Sequence, residues 1–197
     1  MGAILNAEMT AGLHIRPSIS GISKHQILEI ANTYNLIEPS LEEVHTGRDI
    51  AAGLIDTSVA PADAYIQIQR HTGVCPLVYR EDGQVTGMMA MLLLNTVGHM
   101  ALRQGCFNAR TPSMNHLSAA EEPISAGYGW GFAATTKEAG QAVVGATDEF
   151  HRKLFNSIDC YTRAATPDGV RVLRGKLGYT AVPWPDDTGL IWIPGQV

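Results

Sequence analysis

The stretch 127-GYGWGFAATTKEAGQAVVGA-146 sets glycines at alternate positions of an aromatic, apolar run and then passes straight into a helical pattern. Gly127, Gly129 and Gly131 run G-x-G-x-G, so the G-x-G-x-x-G of a dinucleotide site is not met, and the G-x-x-x-x-G-K-[ST] of a P-loop is absent. What remains is a strand, YGWGFAATT, then Lys137 to Ala142, then a helix. Where a chain turns into a helix, the first amide N–H groups lack acceptors at the positive end of the dipole, and small residues let an anion approach them. Two readings of this corner stay open on the local sequence. In one, Thr135 and Glu138 form a capping box at the start of a plain structural helix. In the other, Lys137, Glu138, Ala139, Gly140, Gln141 and Ala142 form a loop around an anion, because a helix begun at the box carries Gly140 at a cost of about 1 kcal/mol relative to alanine.

Downstream, Val143, Ala146, Thr147, Phe150 and Leu154 make one helical stripe, with the pairs Asp148–Arg152 and Glu149–Lys153 opposite. A strand SIDCYTRAA follows, then a helix after Pro167 through DGVRVLRGKLG, and a hairpin of YTAVPW and GLIWIP joined by PDDT. Upstream, CPLVYRED and QVTGMMAMLLLN flank Asp82-Gly83, the strongest short signal for a hairpin. Further back, SLEEVHTGRDIAAGLI reads as a helix. Ile27, Ile30, Ala31 and Tyr34 mark another that starts near Ser20 or Ser23 and is closed by Pro39, and LHIRPSI at 13–19 reads as a short strand. Residues 96–125 hold no period for long and read as an insertion with one short helix at GHMALRQGCF; loops of this length are often functional.

With 197 residues the chain is long enough for one sizeable core and short for two typical domains, so a single domain over 1–197 is expected. A composition 45% hydrophobic and 17% charged is that of an ordinary globular chain, not a disordered or coiled-coil one. The formal charge of −5, without a lysine or arginine run, offers no footprint for a nucleic-acid backbone. Cys75, Cys106 and Cys160 are odd in number and widely spaced, which indicates neither a disulfide framework nor a zinc site and suits a cytoplasmic protein. No secretory signal is read at the N-terminus, and Asn6 stands where a myristoylation motif wants Ser or Thr. The apolar run Val85 to Leu102 is broken by Asn95, Gly98 and His99, too early for a membrane span.

The order of these pieces resembles the GNAT acyltransferase superfamily. Lys137-x-x-Gly140-x-Ala142 is similar to its pyrophosphate motif [RQ]-x-x-G-x-[GA], with Lys in the first place, and Leu177-Gly178-Tyr179 is similar to its Leu-Gly-Phe or Leu-Gly-Tyr corner. The likeness spans most of the chain and is weakest over 40–75 and 96–125. It implies an α+β fold with a central mixed, mostly antiparallel sheet, splayed between its fourth and fifth strands and flanked by helices. It further implies acetyl-CoA or another acyl-CoA as co-substrate, no metal, direct attack by a small amine, and no role for nucleic acid or membrane; a homodimer is compatible with it.

By that resemblance the pantetheine arm lies along Trp130 to Ala134, binding free main-chain groups as an added strand would. The amide of Phe132 or Ala133 polarises the thioester, with Ala134 beyond. The amides of Ala139, Gly140, Gln141 and Ala142 hold the pyrophosphate, and Lys137 adds charge next to Glu138. Arg171, Arg174 and Lys176 supply further cations, whereas Arg152 and Lys153 read as ordinary helix support. The chain departs from the family at two places. Arg174 occupies the position of the usual acid tyrosine, and an arginine gives up no proton, so Tyr161 becomes the candidate acid. Asp168 stands where Asn is frequent. His116, Glu121 and Glu122, in the insertion expected to overhang the acceptor, are the candidate bases. His99 and Cys106 are near in sequence, but nothing orients them as base and nucleophile. The missing tyrosine motivates an alternative, an acyl-CoA-binding sensor or interaction module without efficient catalysis.

Overall fold

Residues 22–55 and 59–196 are described by the computed structural model; the strand expected at 13–19 lies outside them. Ser23 opens the first helix, α1 (Lys24–Thr33), with a reciprocal capping box: its Oγ accepts from the Gln26 amide while Gln26 Oε1 accepts from the Ser23 amide. Ile27, Ile30 and Ala31 are its buried face. After the short strand β1 (Leu36–Ile37), Ser40 and Glu43 repeat the device and start α2 (Leu41–Leu54). A further helix, α3 (Ala62–Thr72), follows Pro61 and stops at Gly73, whose φ of 82° only glycine adopts without strain.

Asp82 and Gly83 both take positive φ, 51° and 79°, the pairing that a two-residue hairpin turn requires. They join β2 (Leu77–Glu81) to β3 (Gln84–Leu94). Most of β3 is buried on both faces, which explains its unbroken apolar run. Met88, Ala90, Leu92 and Leu94 face a core shared with α2 and α3; Met89, Met91 and Leu93 face a second core. The insertion carries α4 (Thr96–Arg103), begun by the Asn95 side chain at the Gly98 amide, and a 3-10 turn at Met114–His116. Hydrogen bonds from the Ser118 amide to the Leu93 carbonyl (2.8 Å) and from the Ser125 amide to the Leu94 carbonyl (2.7 Å) fold it back onto the end of β3.

The remaining elements are β4 (Ala126–Ala134), α5 (Lys137–Lys153), β5 (Asp159–Arg163), α6 (Pro167–Gly175), β6 (Thr180–Ala181) and β7 (Leu190–Ile193). Among the described residues they complete one seven-stranded sheet in the order β1-β2-β3-β4-β5-β7-β6. Only β4 and β5 run parallel, and every other neighbouring pair is antiparallel. The fold is therefore α+β with a mixed, mostly antiparallel sheet flanked by helices. On one face lie α2 and α3; on the other, α1 and α5 cover the second core of Ile27, Ile30, Met89, Val143, Ala146 and Phe150. Among the described residues no helix is long and apolar enough to cross a membrane.

Candidate functional site

The parallel pair β4–β5 is short. Its register runs from Ala126↔Asp159 to Gly129↔Thr162, where the Thr162 hydroxyl donates to the Gly129 carbonyl (2.9 Å). Beyond that rung β4 continues to Ala134 beside β3, but has no strand on its β5 side. The two strands part directly after Gly129, and the backbone on each side shows why. On β4, Trp130 is an extra residue between the pairs Met91↔Gly129 and Ala90↔Gly131, a bulge that bends the strand. On the β5 side the chain leaves the sheet at Arg163 and reaches Pro167, which opens α6.

A cavity of about 1220 Å³ occupies the gap. Its walls come from both faces of the sheet. Ala51, Ala60, Tyr65, Ala109 and Trp130 lie on the α2/α3 side; Lys137, Gly140, Gln141, Val143, Leu173 and Leu177 lie on the α5/α6 side. The gap is thus a passage through the sheet, with the β4 segment Trp130 to Ala134 along it. Its rim carries Lys137, Arg171 and Lys176 at the α5/α6 end and Arg110 among its other lining residues.

The start of α5 differs from both expectations. The helix begins at Lys137, and its cap is Thr136, not Thr135: Thr136 Oγ1 accepts from the Ala139 amide (3.2 Å) and its carbonyl from the Gly140 amide (3.1 Å). Gln141 and Ala142 lie within the helix. The four amides expected to cradle an anion are therefore engaged by the helix and its cap, because threonine one position later supplies the cap that a loop would have left open. The donors without an intrahelical acceptor are those of Lys137 and Glu138, one turn earlier. Phe132, Ala133, Ala134, Lys137, Gly140, Gln141 and Arg171 line the passage. Glu138, Ala139, Ala142 and Arg174 are not among its lining residues, and Lys176 stands there from the same end of α6.

The four catalytic candidates, Tyr161, His116, Glu122 and the exposed Glu121, lie elsewhere. Tyr161 is fully buried, its hydroxyl donating to Asp159 Oδ2 (3.1 Å) and bonded to His99 Nε2 (2.9 Å), away from the passage. His99 Nδ1 meets the Ser125 hydroxyl at 3.1 Å. With the tyrosine proton directed at Asp159, the bonds close for a neutral imidazole whose Nε2–H donates to Tyr161 and whose Nδ1 accepts from Ser125. Burial holds the His99 pKa down to about 4, with Asp159 opposing and Arg103 adding to the shift. This network ties α4 and the insertion to β5. His116 sits in the 3-10 turn with its ring 5.9 Å from that of Phe107, and Glu122 is exposed, accepting from the Ala119 amide in its own turn. The insertion packs back on the closed end of β4, and only Ala109 and Arg110 from it line the passage.

Residues that sequence reasoning did not single out stand in their place. Tyr65 on α3 is 1% exposed and lines the passage, its ring 4.2 Å from that of Trp130. A Cβ on Gly131 would lie 3.7 Å from the Tyr65 hydroxyl, which sets that hydroxyl beside the bulge. It makes no hydrogen bond within the described residues, and burial raises its pKa, so it keeps its proton. Tyr128 also lines the passage and accepts a hydrogen bond from Arg163 (2.9 Å). Tyr65 was legible: Tyr65, Ile68 and Thr72 form a helical stripe between Pro61 and Gly73. Comparison with models of protein families and with curated proteins finds no match for the chain.

Proposed function

We propose that the chain is an acyl-CoA-dependent N-acyltransferase of GNAT type that transfers acetyl from acetyl-CoA to a small amine. The observation that carries this reading is the parting of β4 from β5 after Gly129, which leaves Trp130 to Ala134 beside a cavity lined from both faces. Free main-chain groups there bind the amides of a pantetheine arm in the manner of an added strand. The pyrophosphate lies at the first turn of α5, against the Lys137 and Glu138 amides and the Lys137 ammonium, with Arg171 and Lys176 across the mouth. These cations fit a polyanion on a protein whose net charge is −5.

The passage brings the two substrates together from opposite faces. The amine nitrogen attacks the thioester carbon, and the carbonyl oxygen takes up charge against the amide of Phe132 or Ala133. The C–S bond then breaks, its electron pair leaving on sulfur. The thiolate takes a proton, the new amide nitrogen loses one to solvent, and the products are the amide and free CoA thiol. Neither Arg174 nor the internally bonded Tyr161 supplies that proton; we assign the step to the Tyr65 hydroxyl, buried beside the bulge and without a hydrogen bond among the described residues.

One observation favours the second reading, an acyl-CoA-binding module with little turnover: among the described residues no histidine or glutamate lines the passage, and its one lining carboxylate, Asp168, is paired with Arg171 (3.2 Å). Calorimetry with CoA and thiol release from acetyl-CoA against an amine panel separate the two. Binding with turnover supports the enzyme, and binding with silence across the panel supports the module. No binding removes both. Gly140→Asp puts a carboxylate on the passage wall beside the pyrophosphate and is expected to abolish the CoA heat while leaving the thermal unfolding temperature near that of the parent.

A further inference from the structure

The α2/α3 end of the passage differs in chemistry from the α5/α6 end. It is walled by Ala51, Val59, Ala60 and the ring pair Tyr65–Trp130, and among the described residues no carboxylate lines it. Among the described residues a polyamine or another multiply charged cation finds no counter-charge on such walls. The charged residue there is Arg110, and its place is fixed by three hydrogen bonds. The Trp130 indole N–H donates to the Ala109 carbonyl, which fastens the tip of the insertion to the bulge of β4. The Asn108 side chain accepts from the Arg110 and Thr111 amides (3.0 and 3.2 Å), which sets the turn at that tip. Arg110 is exposed and its side chain has no hydrogen-bond or ion-pair partner among the described residues, unlike Arg48, Arg80, Arg152 and Arg163.

Given the acyl-transfer reading, on which this rests, we infer that the acceptor is an amine carrying both a carboxylate and an apolar side chain, an α-amino acid of the phenylalanine or leucine type. The side chain lies against Tyr65 and Trp130, the carboxylate pairs with Arg110, and the amine is left facing the bulge. A guanidinium fork holds a carboxylate by two parallel bonds, so Arg110 sets the choice between an amino acid and its decarboxylated amine. Arg110 is a specificity residue and takes no part in the chemistry.

The test compares thiol release from acetyl-CoA with phenylalanine, leucine, phenethylamine and spermidine. Phenylalanine and leucine are expected to be the better acceptors, with Arg110→Ala raising KM for phenylalanine about tenfold at nearly constant kcat and leaving phenethylamine unchanged. Preference for phenethylamine or spermidine, or an equal effect of Arg110→Ala on both amine types, overturns the inference. If calorimetry detects no CoA binding, the transfer reading falls, and the seat is judged alone by titrating phenylalanine against tryptophan fluorescence. Saturable quenching that Arg110→Ala weakens about tenfold sustains it. An absent response, or one indifferent to the substitution, overturns it.

Discussion

At the scale of single residues, the glycines of 127–146 share one sequence signal but have separate physical reasons. A Cβ on Gly129 would meet the Phe132 ring at 2.8 Å and Thr162 Oγ1 at 3.1 Å, at the last rung before the strands part. One on Gly145 would come within 2.5 Å of Tyr34 Cε1, where α1 crosses α5 and the Tyr34 hydroxyl donates to Glu149 (2.6 Å). Gly140 has an open neighbourhood, with Ala134 Cβ 3.8 Å away, so it is a matter of the passage wall and not of helix packing. None of this was legible, because each reason is a contact with a residue distant in the chain. Gly145→Val is expected to lower stability by about 1–3 kcal/mol in urea unfolding, since the Tyr34 ring must yield. Gly53→Ala, in α2 with nothing within 4 Å, is the opposite case, expected to gain about 0.5–1 kcal/mol from helix propensity. Equal and small effects at the two positions would refute the close approach of α1 and α5.

At the scale of elements, legibility followed local hydrogen-bond chemistry. The capping boxes at Ser23 and Ser40, the Asp82-Gly83 turn and Pro167 all announce themselves within four residues, and the elements they open or join were readable. The helix α3 went unread although its stripe of Tyr65, Ile68 and Thr72 was there to find, since Pro61 at its N-cap makes no side-chain cap to mark the start. For α5, two adjacent threonines compete for one cap, and the sequence pattern T-x-x-E selects the wrong one. Thr135 instead extends the sheet, its amide and hydroxyl both donating to the Thr86 carbonyl (2.8 and 3.1 Å). Thr136→Ala is accordingly expected to cost about 1 kcal/mol in urea unfolding, the usual loss for an N-cap, and to do so with or without CoA. Thr135→Ala, which removes one exposed bond and leaves the cap in place, is expected to cost less. The reverse ranking would move the cap back to Thr135 and reopen the amides of Ala139 and Gly140.

At the scale of the whole molecule, what the sequence left hidden is where elements separate and where distant side chains converge. Nothing in YGWGFAATT or SIDCYTRAA says that their pairing ends at Gly129 and Thr162, since both strands keep a strand-like composition beyond it. The same holds for His99, Ser125, Asp159 and Tyr161, which meet only when the insertion folds onto β5. Their meeting has a global consequence that pH reveals. Burial pushes His99 down to about 4, with Asp159 opposing the shift and Arg103 adding to it, and burial likewise pushes His151 down to about 4, with Asp148 opposing; His151 Nε2 is bonded to the Tyr179 hydroxyl at 3.0 Å. An unfolded histidine titrates near 6.5, so between about 6.5 and 4 the unfolded chain binds the protons that the folded chain refuses. Stability is full above that window and falls as pH drops through it, by up to about 1.4 kcal/mol per pH unit for each of the two histidines. The carboxylates held low in the fold, Glu43 at about 2 among them, weaken it only at lower pH, so the interval from 6.5 to 5 belongs to the histidines. Urea unfolding at pH 7, 6 and 5 is expected to show this loss, and His151→Gln to reduce its slope by roughly half. A free energy of unfolding that stays level from pH 7 to 5 would mean that neither imidazole is held neutral, and the network joining the insertion to β5 would have to be redrawn.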